Sequence, residues 1–235
     1  MFYLNKDVEL DIKLLGKMIN RFQTTSYPNL YKYKNYYDGV QQILQKKYND
    51  PTKPCNKTVI NYCKNIVDSY AGYLATPGFI SYQSDVEEIM EILRYNDFQT
   101  EDNEFLLNAL VYGVAAELMY IDENAKTRFR TIDPTTCFGV YDDSLTGDLL
   151  YFVRFYRVNE WDDNNIYNID VYTDTLVKHY TMKGMGGEIT PTGEEAHFFG
   201  QCPANIFALP DEKSIFDCII GLQDSVNEVL SAEID

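Results

Sequence analysis

The sequence predicts an α+β fold: N-terminal helices, then an antiparallel β-sheet, then a closing helix. Three observations carry this. Apolar residues keep helical spacing up to Ala116, alternating and β-branched segments take over between 117 and 209, and helical spacing returns after 210. The expected parts are therefore a helical part over 1–116, a sheet part over 117–209 and a last helix over 210–235. With 235 residues, 45% of them hydrophobic, the chain can bury a proper core as one large domain or two small ones.

In order, Val8, Ile12, Leu15, Ile19 and Phe22 predict an amphipathic helix over 7–22. TTSYPNLYKYKNYYDG, rich in Tyr and turn formers, reads as a connection, and GVQQILQKKYND as a short helix stopped by Asp50-Pro51. Next, Val59, Cys63, Ile66, Val67, Tyr70 and Leu74 predict a helix whose apolar face seats Cys63, ended by Gly72, Pro77 and Gly78. Ser84-Asp85-Val86-Glu87 has the form of a capping box for a helix to about Leu93. A further helix is expected over 102–116, with Phe105, Leu106, Ala109, Leu110 and Val114 inward.

ELMYID, RFRTID, CFGVYDD, LLYFVRFYRV, NIDVYTD and TLVKHYTM read as strands of a meandering sheet, joined by hairpin turns such as ENAK and SLTGD. KGMGGEITPTGEE, residues 183–195, reads as a polar loop, with HFFG and NIFAL as short strands after it. In the final helix Ile215, Ile219, Leu222, Val226 and Val229 mark the expected buried face. That helix reaches the last residue without a stop signal, so a longer natural chain is expected.

The net charge of -16 is unevenly spread: residues 1 to 70 hold 11 Lys+Arg against 6 Asp+Glu, and the remainder 9 against 30. The acidic part cannot grip nucleic acid, because phosphate binding requires cations that displace counterions. No window approaches the roughly 18 consecutive apolar residues of a membrane span. The start MFYLNKDVELDIKLL is charged too early for a signal peptide, so a product kept inside a cell is expected. Cys55, Cys63, Cys137, Cys202 and Cys218 form no CxxC pair, which favours reduced structural thiols. Asn56-Lys57-Thr58 is a glycosylation sequon in form, better read as a helix start.

Chemistry finds little purchase. His179 and His197 are the histidines available for acid/base work, each read first as a satisfied structural residue. Lys183 precedes its glycines, against the order of a phosphate-binding loop. Asp142, Ser144, Thr146 and Gly147 match the early positions of a calcium loop, but Val153 stands where a bidentate Glu is needed. A hairpin turn explains them. Glu160, Asp162 and Asp163 around Trp161 read as a solvated loop with Asn164 and Asn165. Asp68 is expected to cap a neighbouring element or to pair with a cation. No catalytic, metal or cofactor residue is assigned.

Several short blocks recur in a fixed order. Tyr36-Tyr37-Asp38-Gly39 with Ile43-Leu44 has the form YYxGxxxIL, followed by Asn61, Ile66-Val67-Asp68, Gly72-Tyr73-Leu74, Pro77 and Tyr82. A second block joins Tyr112-Gly113, Ala116-Glu117-Leu118 and Tyr120, followed by Ile132-Asp133-Pro134, Val140-Tyr141-Asp142-Asp143, Arg154, Tyr156 and residues 203–207. In this order, over most of the chain, the segments resemble the portal proteins of tailed bacteriophages of the siphovirus type. Ala75 departs from a glycine common in that family, ALPDEKS replaces a longer Asn-rich stretch, and the stem, clip and crown are absent.

The resemblance implies the N-terminal wing of a structural subunit, without catalytic residues or cofactors, forming a homo-oligomeric ring at one capsid vertex, a dodecamer in the full-length protein. The implied partners are identical subunits, capsid and scaffolding proteins, the terminase packaging motor and the head-tail adaptor, with DNA passing through the channel without specific binding. Its place would be the virion, after synthesis in the bacterial host cytoplasm. Two other readings stay open: a small hydrolase using Cys63 or Cys137 with His179 or His197, and a standalone interaction module.

Overall fold

Asp11 fixes where the first helix begins. Its carboxylate accepts the Leu14 backbone N–H at 2.7 Å, so α1 spans Ile12–Arg21 and not 7–22. Val8 accordingly lies outside the helix and exposed, while Leu15, Met18, Ile19 and Phe22 form the buried face. The computed structural model describes residues 2–47, 54–75, 81–157 and 165–234. Asp50-Pro51, Pro77-Gly78 and the loop of Glu160, Trp161, Asp162, Asp163 and Asn164 lie outside the described residues.

The Tyr-rich segment is helical, not a connection. A π-turn over Phe22–Ser26 leads into α2, Tyr27–Tyr37. In that wider turn the Tyr27 N–H reaches the Phe22 carbonyl, and the Thr24 and Thr25 hydroxyls donate back to Asn20 and Arg21. Pro28 sits in the first turn of α2, where a missing N–H costs least. The short helix predicted next is a 3-10 turn, Gln42–Gln45.

α3 spans Tyr62–Leu74, capped by Asn61, with Cys63 and Val67 buried and Tyr70 exposed. Gly72 lies within it and does not end it. α4, Glu87–Tyr95, starts after Val86, which as its N-cap offers no side-chain bond. α5, Phe98–Tyr112, starts earlier than predicted and stops at Gly113, leaving Val114 to open a strand.

The strands are β1 (Phe2–Leu4), β2 (Val114–Ile121), β3 (Thr127–Ile132), β4 (Cys137–Asp142), β5 (Leu149–Tyr156), β6 (Ile166–Tyr172), β7 (Leu176–Lys183), β8 (Ile189–Ala196) and β9 (Ala204–Ala208). They form two sheets: six strands in the order β1-β4-β5-β6-β7-β8, and three in the order β3-β2-β9. The meander from β4 to β8 is antiparallel as expected, whereas β1, absent from the sequence reading, pairs parallel with β4. The predicted polar loop is largely β8, whose residues after Ile189 are exposed on both faces and which bulges at Thr192, beside Pro191, where consecutive His179 and Tyr180 of β7 face Gly193 and Pro191. Residues 197–200 form no strand; Phe198 takes a φ of 63°. The closing helix, α6, spans Ile220–Ile234 after a 3-10 turn at Asp217–Ile219.

These elements sort into two units whose segments alternate along the chain. The first holds Met1–Pro28, Val86–Phe98 and Ala116–Ile206; the second holds Asn29–Asp85, Gln99–Ala115 and Phe207–Asp235. Inside the first, Phe22 stacks on Phe138 at 5.5 Å and meets Phe155 edge-on at 5.6 Å, which seats α1 on the larger sheet. A second cluster of Ala116, Leu118, Ile132, Cys137, Phe152 and Cys202 joins the two sheets. Asn96, just past α4, places its amide like a strand neighbour of β3, donating to the Thr127 carbonyl at 3.1 Å and accepting from the Phe129 N–H at 3.1 Å.

In the second unit Gly113 makes the sharpest turn. Its φ is 76°, and a Cβ there would stand 2.4 Å from the Lys213 carbonyl carbon. Gly113→Ala is expected to cost about 3 kcal/mol, combining a left-handed backbone with an overfilled contact. Gly72→Ala, where a Cβ meets nothing within 4 Å, should instead stabilise by about 0.5 to 1 kcal/mol. Urea denaturation of both variants checks the contrast, and equal effects would contradict the geometry.

Candidate functional site

Many of the recurring blocks converge in the second unit on α6. Residues 58 to 61 lead irregularly into α3, turning at Asn61 where the Tyr62 N–H reaches back to the Ile60 carbonyl at 3.2 Å, and backbone N–H groups partly drawn out of water need partners. α6 supplies them from side chains. Ser231 Oγ accepts the Thr58 N–H at 3.0 Å, Asn227 Oδ1 the Ile60 N–H at 3.0 Å, and Gln223 Oε1 the Tyr62 N–H at 3.0 Å. Gln223 Nε2 returns a bond to the Ile60 carbonyl, and Asn227 Nδ2 donates to Gln41 Oε1. The spacing explains the fit: four helical residues rise about 6 Å, one step of α6 for each two residues of the facing backbone.

The face of α6 that turns inward is therefore Ile220, Gln223, Asn227 and Ser231. Of the predicted apolar face, Leu222 and Val229 face outward, 66% and 60% exposed, while Ile215, Ile219 and Val226 are partly covered. This corrects the sequence expectation, and the polar period of Gln223, Asn227 and Ser231 was the signal for it. Two tyrosines of α2 complete the seat. Tyr33 donates to Asp217 at 2.8 Å and Tyr36 to Asp224 at 2.7 Å, and burial pushes both phenols well above their ordinary range.

Asn61 joins the first block to α3. Its Oδ1 accepts the Lys64 N–H at 3.0 Å and the Gln41 amide at 3.2 Å, while its Nδ2 donates to the Tyr37 carbonyl at 2.8 Å. Gly39, at φ 81°, turns the chain beside it. Asp68 finds its role here as a pairing residue, 2.9 Å from Lys64 Nζ and accepting the Tyr37 hydroxyl at 2.9 Å. Burial acts against its charge, but Lys64 and Tyr37 hold the carboxyl below its ordinary range.

The residues weighed for chemistry are occupied elsewhere. His197 accepts the Phe199 N–H on Nδ1 and lies 3.1 Å from the Thr173 carbonyl through Nε2, which makes it the neutral Nε2–H tautomer. His179 Nδ1 lies 2.7 Å from Asp170, with Nε2 3.6 Å from Glu195. Burial pushes the Cys63 thiol up to about 11, with Asp224 adding to it, and pushes the Cys137 thiol up further. Cys137 points at the Asp133 carbonyl, not at an imidazole. Asp142 accepts the Ser144 hydroxyl and pairs with Lys6 at 3.3 Å, both holding its carboxyl low, in a turn closed by Gly147 at φ 60°. No group of three or more His, Cys, Asp or Glu among the described residues could hold a metal ion.

The family model for phage portal proteins of the SPP1 Gp6-like type matches residues 17–233. The portal protein of Bacillus phage SPP1 is 27% identical over 152 residues, covering 63% of this chain and 29% of that protein. The chain thus spans under a third of the length of this curated relative.

Two outcomes follow from the geometry. Asn227→Ala removes a wholly buried amide and leaves Gln41 and Gln223 short of a partner, which should cost about 3 kcal/mol, whereas Leu222→Ala on the same helix should stay within about 0.5 kcal/mol; urea denaturation compares them, and the reverse order would refute the seating of α6. In thiol titration of the folded protein, Cys218 should react first and Cys63, Cys137 and Cys202 only on unfolding. Rapid labelling of Cys63 in the folded state would revive the nucleophile.

Proposed function

We propose, because the chain belongs to the SPP1 Gp6-like family of phage portal proteins, that it is the wing of a structural subunit forming the ring at a capsid vertex through which DNA is packaged and ejected. The observation that carries this reading is the family match over 17–233, which takes in nearly the whole of both units. In it, residues 1–116 and 117–209 form the helical and sheet parts of the wing, and 210–235 lead towards a stem. Neighbouring copies, capsid and scaffolding proteins meet the wing. The packaging motor and the head-tail adaptor meet parts of the protein beyond it.

The acidic balance supports a conduit, since like charge keeps a DNA phosphate backbone from adhering. Paired histidines and raised, buried thiols support a role without catalysis. The assembled protein resides in the virion after synthesis in the host cytoplasm, as a dodecamer. Electron microscopy of the full-length product is expected to show closed rings. Uniformly monomeric particles at high concentration would overturn the proposal.

A further inference from the structure

The hairpin between β4 and β5 holds an apolar residue out in water. Its polar side chains turn inward: the Asp142 carboxylate accepts the Ser144 hydroxyl and, at 3.4 Å, that of Thr146, and the two hydroxyls lie 2.8 Å apart. The Gly147 N–H closes the turn on the Ser144 carbonyl at 3.2 Å, and Lys6 clasps the base through Asp142 and Asp148, at 3.3 and 3.0 Å. Leu145 is left fully exposed at the tip. Its near neighbour Asp143, also exposed, has no cation paired with it among the described residues. In the same unit, α1 and β1 border a groove of about 380 Å³ lined by Phe2, Leu4, Leu14 and Met18. Exposed Lys17 and Arg21, one turn apart on α1, complete the lining. Arg21 lies over the Phe2 ring at 5.8 Å, and neither cation meets a carboxylate among the described residues.

We infer that the hairpin tip of one copy seats in the α1–β1 groove of a second copy of this chain, with Leu145 among the apolar lining and Asp143 against Lys17 and Arg21. Two uncompensated cations, on a chain with 36 Asp+Glu against 20 Lys+Arg, select an occupant that carries a carboxylate. The apolar lining beside them selects one that brings an aliphatic side chain with it. The tip offers both within three residues, and its internal bonds fix the turn beforehand, so little ordering is left to oppose docking. Leu145, fully exposed, does not enter the groove of its own chain. Tip and groove are different surfaces, which makes the contact heterologous: it repeats from copy to copy and closes where the rotation allows. The inference rests on the portal reading for the presence of neighbouring copies and names one contact by which they meet.

The test uses the full-length protein with Cys55→Ser/Cys218→Ser. On oxidation, copies carrying Leu145→Cys/Leu14→Cys should give a ladder of cross-linked species on a denaturing gel, and a mixture of the two single variants should give dimers and nothing larger. Leu145→Asn should raise the concentration at which half of the subunits are in rings by roughly tenfold, the loss expected for one buried Leu, with an unchanged thermal melt. Lys17→Glu/Arg21→Glu should weaken assembly similarly, and adding Asp143→Lys should restore it. Rings that form without cross-links, and at the parent's concentration in the Leu145→Asn variant, would overturn this contact and leave the portal reading standing. Weakened assembly with neither cross-links nor charge-swap rescue would place the tip on another surface and overturn it too. Groove variants that keep parental rings but lose bound capsid protein would assign the groove to that partner instead. A parent protein that forms no rings removes both readings.

Discussion

A backbone covered by a helix needs partners for its amides, and over residues 58 to 62 they come from one face of α6. Gln223, Asn227 and Ser231 take the place of a neighbouring strand, each holding one N–H. Much else in the second unit follows. With its polar side committed inward, α6 must present its aliphatic residues outward. Its register is also fixed, because a slip of one residue would carry the amide of Asn227 about 100° around the helix and away from Ile60. Gln41, held by both Asn61 and Asn227, ties the turn after α2 to the same ladder.

The device recurs in the first unit, where the Asn96 amide pairs with the open side of β3. In both places a carboxamide does what another peptide would do, offering a donor and an acceptor together. Such residues tolerate little change, since an aliphatic substitute leaves a desolvated amide behind. The tyrosines contribute differently. Tyr33 and Tyr36 bury their rings and give their hydroxyls to carboxylates of the 3-10 turn before α6 and of α6 itself, so that apolar packing and polar satisfaction come from one side chain.

The strands from β2 to β7 were legible because they are rich in β-branched and aromatic residues, as in Phe152, Val153, Phe155, Ile169 and Val171. β8 was not, because its sequence after Ile189 is polar on both faces and its order comes from the ladder with β7. α2 was hidden by Pro28, Asn29 and tyrosine, residues that local preference assigns to turns but that the π-turn and the contacts to Asp217 and Asp224 hold in a helix. The face of α6 was misread for a plainer reason: periodicity identifies the helix, but which stripe is inside depends on what lies opposite. A backbone in need of acceptors outweighed the aliphatic stripe. Asp68, Asn61 and Gly39 could be picked out by their order in the chain, while their pairing across it required the fold.

β8 ends the larger sheet with one side of its backbone facing no further strand among the described residues. An open edge of this kind can pair with another chain by strand addition, which polymerises without limit. Pro191 carries no N–H, the bulge at Thr192 beside it interrupts the strand, and exposed Glu194 and Glu195 add charge along it. Growth by edge pairing is discouraged at the margin of the sheet, so the exposed polar strand keeps its order without inviting a further one.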